Sequence, residues 1–234
     1  MICGKSADKS LAYILGVYLG DGCVTRTRDG YPAFRLNTID MDFADATKAA
    51  ISDLSEYGVS IHTHPVSKSS KPNHALRCGD PALCKRLVEE TCGKQSLPAW
   101  IYDAPIEDRR AFVVGLMDSE GFVAAKTHTH TGRRYYMGYK SCDVWVPDFM
   151  RVLQSVGIKY GKIGREKPRK PGYKTPTRFT IKMQSWVDSG CRFNIARKQD
   201  RVDIWAKTVP YSERSRYPAR LISEANTPDA PLVA

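Results

Sequence analysis

The segment Ala12-Tyr-Ile-Leu-Gly16-Val-Tyr-Leu-Gly20-Asp21-Gly22 returns as Ala111-Phe-Val-Val-Gly115-Leu-Met-Asp118-Ser119-Glu120-Gly121, every paired position 99 residues further along a chain of 234. A period that long exceeds a solenoid unit and points to a duplicated domain. Within each segment a small residue recurs every fourth position, Ala12, Gly16 and Gly20, then Ala111, Gly115 and Ser119. On a helix these lie along one face and leave it nearly flat. Glycine inside a helix costs about 1 kcal/mol relative to alanine, so the flat strip needs a reason, and close packing of the two helices supplies one. Gly22 and Gly121 follow the helix ends, where a left-handed cap is expected.

If the strips pack on each other, the helices run side by side and their C-termini meet, bringing Asp21 and Glu120 together. A helix C-terminus already carries partial negative charge, and two carboxylates there repel and raise each other's pKa. A divalent cation relieves both effects. The carbonyls of Gly20 and Ser119 are available as further hard oxygen ligands, a donor set suited to Mg²⁺, with Mn²⁺ or Ca²⁺ able to occupy the same place. One such segment alone would read as a solvated acid beside a capping glycine; two at a fixed offset do not.

The remainder repeats as well. Strands are expected at 23–28 and 33–38, a helix at 42–57, and strands at 59–64 and 74–78. The second copy offers 122–130, 134–140, a helix at 143–155, then 158–163 and 178–183, with a loop-like insertion at 164–176. Lys94-Gln95 precedes Trp100 and Pro105 as Lys198-Gln199 precedes Trp205 and Pro210, and the repeated tryptophan reads as a core anchor. The expectation is an α+β protein of two α-β-β-α-β-β-α units, residues 1–104 and 105–218, with a flexible tail at 219–234.

Alternation gives each strand a core side and a charged side. Phe34 and Leu36 oppose Arg35 and Asn37; Val59 and Ile61 oppose His62 and His64; Phe179, Ile181 and Met183 oppose Arg178, Thr180 and Lys182. Arg26 with Arg28, Lys126 with His128 and His130, and Arg134 with Tyr136 and Lys140 obey the same rule, and Lys159 joins the set. This side is almost purely basic, with Thr, Asn, Tyr and His between, which suits phosphates and base edges in a major groove. The His-X-His pairs could instead bind zinc, with His74 and Cys78 as the nearest further ligands. The net charge of +11 favours a polyanionic partner, and it is uneven: residues 1–104 hold 12 Lys/Arg against 12 Asp/Glu, residues 105–234 hold 24 against 13. No apolar run reaches membrane-span length, and seven irregularly spaced cysteines make no disulfide framework, so a soluble protein of a reducing intracellular compartment is expected.

Ile14–Gly22 and Val113–Gly121 resemble the two signature helices of a single-chain LAGLIDADG homing endonuclease, and the likeness extends through the element order and the Lys-Gln trailers, over roughly residues 8–210. Leu19 replaces the inner aspartate of that signature, which Asp118 retains. The resemblance implies two sheets forming a saddle over double-stranded DNA, with Asp21 and Glu120 as catalytic metal ligands. It implies a monomer that hydrolyses one phosphodiester per strand of a long, partly palindromic site. It also implies a basic group near each site, for which Lys182 and Arg77 at comparable strand ends are first candidates and Lys94 and Lys198 second. Two other readings stay open: a splicing maturase or non-cleaving DNA binder on the same scaffold, and a duplicated α/β protein of unrelated function.

Overall fold

In the computed structural model, which describes residues 9–65, 72–128, 132–165, 175–209 and the backbone of 221–222, the two repeated segments form α1 (Lys9–Leu19) and α4 (Ile106–Ser119). Residues 11–19 and 111–118 are buried on every side. Helical stretches buried on every side belong at the centre of a fold, and α1 and α4 make the largest helix–helix contact among the described residues.

The first copy continues with β1 (Cys23–Arg26), β2 (Pro32–Thr38), α2 (Met41–Ser52), β3 (Val59–His64), β4 (Asn73–Cys78) and α3 (Pro81–Glu90). The second continues with β5 (Gly121–His128), β6 (Gly132–Ser141), α5 (Val146–Ser155), β7 (Tyr160–Arg165), β8 (Thr177–Ile181), α6 (Met183–Asp188) and α7 (Ala196–Thr208). Each copy makes one antiparallel sheet with the same strand permutation, β1-β2-β4-β3 and β5-β6-β8-β7. The fold is therefore α+β, with two equivalent four-stranded sheets built around a central helix pair. A short β9 (Leu221–Ile222), within the segment expected to be a flexible tail, pairs with Arg133 and Arg134 of β6.

Several boundaries differ from the sequence expectation, each for a local reason. β1 stops at Arg26 because Thr27–Tyr31 closes a turn, with Gly30 at φ +84°, so Arg28 sits in the turn rather than on the strand. The helix expected at 42–57 ends at Ser52, and that expected at 143–155 begins only at Val146, with Pro147 in its first turn. β8 ends at Ile181, and Lys182 serves as the N-cap of α6, which places Met183 in a helix. Trp205 is a buried anchor on α7, whereas Trp100 is only half-buried, in a 3-10 turn, and donates its indole N–H to Glu90. Gly22 and Gly121 are not left-handed caps. Both have ordinary backbone angles and are needed for space: a Cβ on Gly22 would lie 2.8 Å from the Phe34 ring, and one on Gly121 2.5 Å from Met117 O.

Candidate metal centre and nucleic-acid interface

The two central helices approach until backbone meets backbone. A Cβ on Gly16 would stand 2.4 Å from Phe112 O, and one on Gly115 would stand 2.3 Å from Tyr13 O. At the C-terminal ends a Cβ on Gly20 would overlap Ser119 Cβ at 2.3 Å and approach Glu120 Cγ at 3.4 Å. Asp21 and Glu120 follow directly after this contact, so the backbones themselves hold the two carboxylates side by side.

The charges of this pair are frustrated. Glu120 is pushed up to about 7, first by burial, then by Asp21 and by Asp143, against the opposing pull of Lys94 and Lys198. Asp21 is open to solvent yet crowded by protein, and its pKa is likewise raised by desolvation, with Lys198 and Lys94 acting the other way. Oxygen donors alone, with surplus negative charge, fit a hard divalent cation. Asp21 and Glu120 are the groups that could hold it. The Gly20 carbonyl already accepts a hydrogen bond from Lys94 Nζ at 2.9 Å, and Ser119 Oγ donates to Gly115 O at 3.1 Å.

The cations that bear on the carboxylates are thus Lys94 and Lys198. Lys198 Nζ donates to Asp118 O at 2.6 Å and Met117 O at 3.0 Å, the counterpart of Lys94 on Gly20. Arg77 lies exposed in mid-sheet between Arg35 and Ser60, and Lys182 continues the β8 ladder by donating its backbone N–H to Lys159 O. Neither is among the charges acting on Asp21 or Glu120.

Strand register sorts the interface residues. In the first sheet Arg35, Asn37, Arg77, Ser60, His62 and His64 share one face, and Phe34, Leu36, Leu76 and Cys78 the other. Arg26 is opposite Pro32, on the face of Val24 and Phe34 rather than that of Arg35, and its guanidinium bonds Gly30 O. In the second sheet Phe122, Lys126, Tyr136, Lys140, Arg178 and Thr180 share the open face, and the backbone register puts His128 and Arg134 there too. Arg178 lies 5.1 Å over the Phe122 ring. Lys159 is exposed just before β7, and His130 lies outside the described residues. His74 is on the core face bonded to Thr63 Oγ1, away from His62 and His64, and no group of three His, Cys, Asp or Glu suited to a metal occurs among the described residues.

Three features escaped the sequence. Asp143 follows β6 just as Asp40 follows β2, each with its backbone N–H on a strand-end hydroxyl, Ser141 or Thr38. The repeated Thr-X-Asp and Ser-X-Asp would have revealed the pair. Asp40 is held in a bidentate pair with Arg197, both contacts 2.6 Å, tying α2 of the first copy to α7 of the second. Asp118, buried between the helices, accepts from Tyr13 Oη at 3.1 Å and Asn194 Nδ2 at 2.9 Å; burial raises it to about 6 against those hydrogen bonds and Lys198.

No family model matches the sequence, and no curated protein matches it. Solved structures do. The homing endonuclease I-WcaI bound to its DNA recognition sequence is similar with a TM-score of 0.55 at 7% identity, over 85% of this chain and 88% of that one. A single-substitution variant of I-DmoI, in complex with its target DNA in the presence of 2 mM Mn, gives 0.52 at 15% identity over 80% and 96%. Mesophilic variants of the homing endonuclease I-DmoI give 0.51 at 16% over 77% and 88%. At such identities the likeness is one of architecture: this chain has the LAGLIDADG homing endonuclease fold.

Proposed function

We propose that the protein is a site-specific endonuclease that hydrolyses one phosphodiester on each strand of a long, nearly twofold DNA site in the presence of Mg²⁺. The observation that carries this is the carboxylate pair: Asp21 and Glu120 meet where backbone contact forces the helix ends together, both with raised pKa. A protein gains nothing in stability from such a pair; a cation-dependent reaction does need it. Bound between them, the cation would activate water and stabilise the leaving 3′ oxygen. The protein's part is positioning. Asp21 and Glu120 fix the reaction centre on the pseudo-twofold axis. Arg35, Arg77, Asn37 and His62, which share one face of the first sheet, and Lys126, Tyr136, Arg178 and Thr180, which share one face of the second, would bind the DNA to either side of it.

The solved relatives bound to target DNA, one with Mn, support a DNA substrate and a divalent cation. The test is selection of cleaved sites from a random duplex library incubated with the protein and Mg²⁺. Double-strand breaks with 3′ overhangs at one related set of sequences are expected. DNA bound at discrete sites yet left intact in Mg²⁺ and in Mn²⁺ would instead establish a binder without cleavage.

A further inference from the structure

Duplication places a lysine at the end of each central helix, but the two are held differently. Lys198 projects from the regular helix α7, is 4% exposed, and spends its ammonium on two carbonyls, Met117 O and Asp118 O. These belong to the last turn of α4, where carbonyls outrun the donors of the helix and the Glu120 backbone N–H reaches Met117 O but not Asp118 O. The side chain of Asp118 is bolted in turn by Tyr13 and Asn194, so the whole corner is cross-braced. Its outer neighbour Asp40 is occupied by Arg197.

Lys94 has little of this. It is half-buried, makes one carbonyl bond to Gly20 O at 2.9 Å, and rests 5.1 Å over the Tyr18 ring. Its backbone belongs to a run of three left-handed residues, Cys92, Gly93 and Lys94 at φ +46°, +63° and +71°. Two of the three are not glycine, a conformation that costs energy; the run closes the end of α3, with Gly93 N–H on Val88 O at 2.8 Å and Lys94 N–H on Thr91 Oγ1 at 3.2 Å. Gly93 stands where the second copy has Arg197, so Asp143 receives no guanidinium from that position and its charge bears on Lys94 and Glu120. At the position of Asp118 the first copy has Leu19, which can make no equivalent brace.

We propose that the two lysines do different work: Lys198 is a structural strut, and Lys94 alone is free to act on a scissile phosphate, so the two DNA strands are cut by chemically unequal sites. This rests on the endonuclease reading. In the step concerned, a water oxygen bonds to phosphorus and the P–O3′ bond breaks. The water gives its proton to solvent and the 3′ oxygen takes one, leaving a 3′ hydroxyl and a 5′ phosphate. The Lys94 ammonium donates a hydrogen bond to a non-bridging oxygen as negative charge gathers there, and transfers no proton. Lys198 could do the same only by giving up both of its bonds to the buried end of α4, at Met117 O and Asp118 O.

The test is a strand-resolved nicking assay on a supercoiled plasmid carrying a site selected for cleavage by the wild-type protein. Lys94→Met is expected to slow one strand about 100-fold, the scale of losing one transition-state donor, and the other less than about 3-fold, so nicked circles accumulate. Its melting temperature and DNA affinity should stay near wild type. Lys198→Met should lower the melting temperature and slow both strands by a common factor; Lys198→Arg, which keeps a donor, serves if the methionine variant does not fold. Lys94→Met giving the wild-type ratio of nicked to linear product would overturn the proposal, as would a stably folded Lys198 variant blocked on one strand. A wild-type protein that cuts no plasmid would defeat the endonuclease reading itself, a separate outcome.

Discussion

Gly115→Ala probes how closely the two central helices approach. A methyl group there would sit 2.3 Å from Tyr13 O and 3.1 Å from Val17 N, both backbone atoms of the facing helix. Carbon and oxygen normally approach no closer than about 3.3 Å, so the helices must part by roughly 1 Å. Overpacking of this kind costs about 1–3 kcal/mol, and backbone obstacles put Gly115→Ala at the upper end. Better helix propensity returns about 1 kcal/mol, leaving a net loss of about 2 kcal/mol. For a chain of this size that lowers the melting temperature by about 4–8 °C. Gly16→Ala, whose Cβ would lie 2.4 Å from Phe112 O, should behave alike, while Gly58→Ala, with nothing within 4 Å of its Cβ, should be close to neutral. Thermal and urea unfolding of the three variants measure this. Cleavage should fall about 100-fold in Gly115→Ala, since a displacement near 1 Å at the helix pair reaches the carboxylates. A Gly115→Ala protein as stable as wild type would refute the close approach on which the site depends.

Because Glu120 titrates at about 7 when folded and nearer 4.5 when unfolded, its ionisation leaves stability untouched below about pH 4.5, erodes it as the pH rises through 7, and leaves a constant penalty above that. The shift corresponds at most to about 3 kcal/mol; partial exposure reduces it to about 1–2. In EDTA, Glu120→Gln should therefore melt higher than wild type at pH 8 and equally at pH 4.5; equal melting at both would count against the frustrated pair. Tyr13→Phe and Asp118→Leu should each destabilise, and the double variant by less than their sum, with a coupling of about 1–2 kcal/mol in a double-mutant cycle. Additivity would exclude the buried bond. Arg77→Ala or Lys126→Ala should weaken DNA binding and lower the slope of log K against log salt by about 0.9 each; an unchanged slope would remove that side chain from phosphate contact.

The parts of this molecule governed by local periodicity were legible in its sequence. Period-four small residues specified a helix pair that packs backbone to backbone, and period-two alternation sorted Arg35 from Phe34 and Arg178 from Phe179. Alternation fails at Arg26, because its phase with Arg28 runs through the Thr27–Tyr31 turn rather than following the pairing with β2, and a shift of one residue exchanges faces. The glycines after the acids were legible as necessary but not for their reason: Gly22 makes room for Phe34, a contact 12 positions away. Distances between a loop or trailing helix and a helix end carry no periodic signal at all. Lys94 and Lys198 reach Gly20 and Asp118 across 74 and 80 positions, and Asp143, after β6 of the second copy, bears on Lys94 of the first. These are the contacts that set the electrostatics of the centre, and only the assembled fold brings them together.

In the proposed endonuclease, Asp21 and Glu120 together hold the cation on which DNA cleavage depends. On one library-selected site, wild type, Asp21→Asn and Glu120→Gln are compared for binding in Ca²⁺ and for cleavage in Mg²⁺. Binding within a few-fold of wild type is expected for both variants, with cleavage lowered at least about 1,000-fold, because each removes an oxygen ligand while keeping the shape of the helix ends. Cleavage by either variant at the wild-type rate would contradict that role.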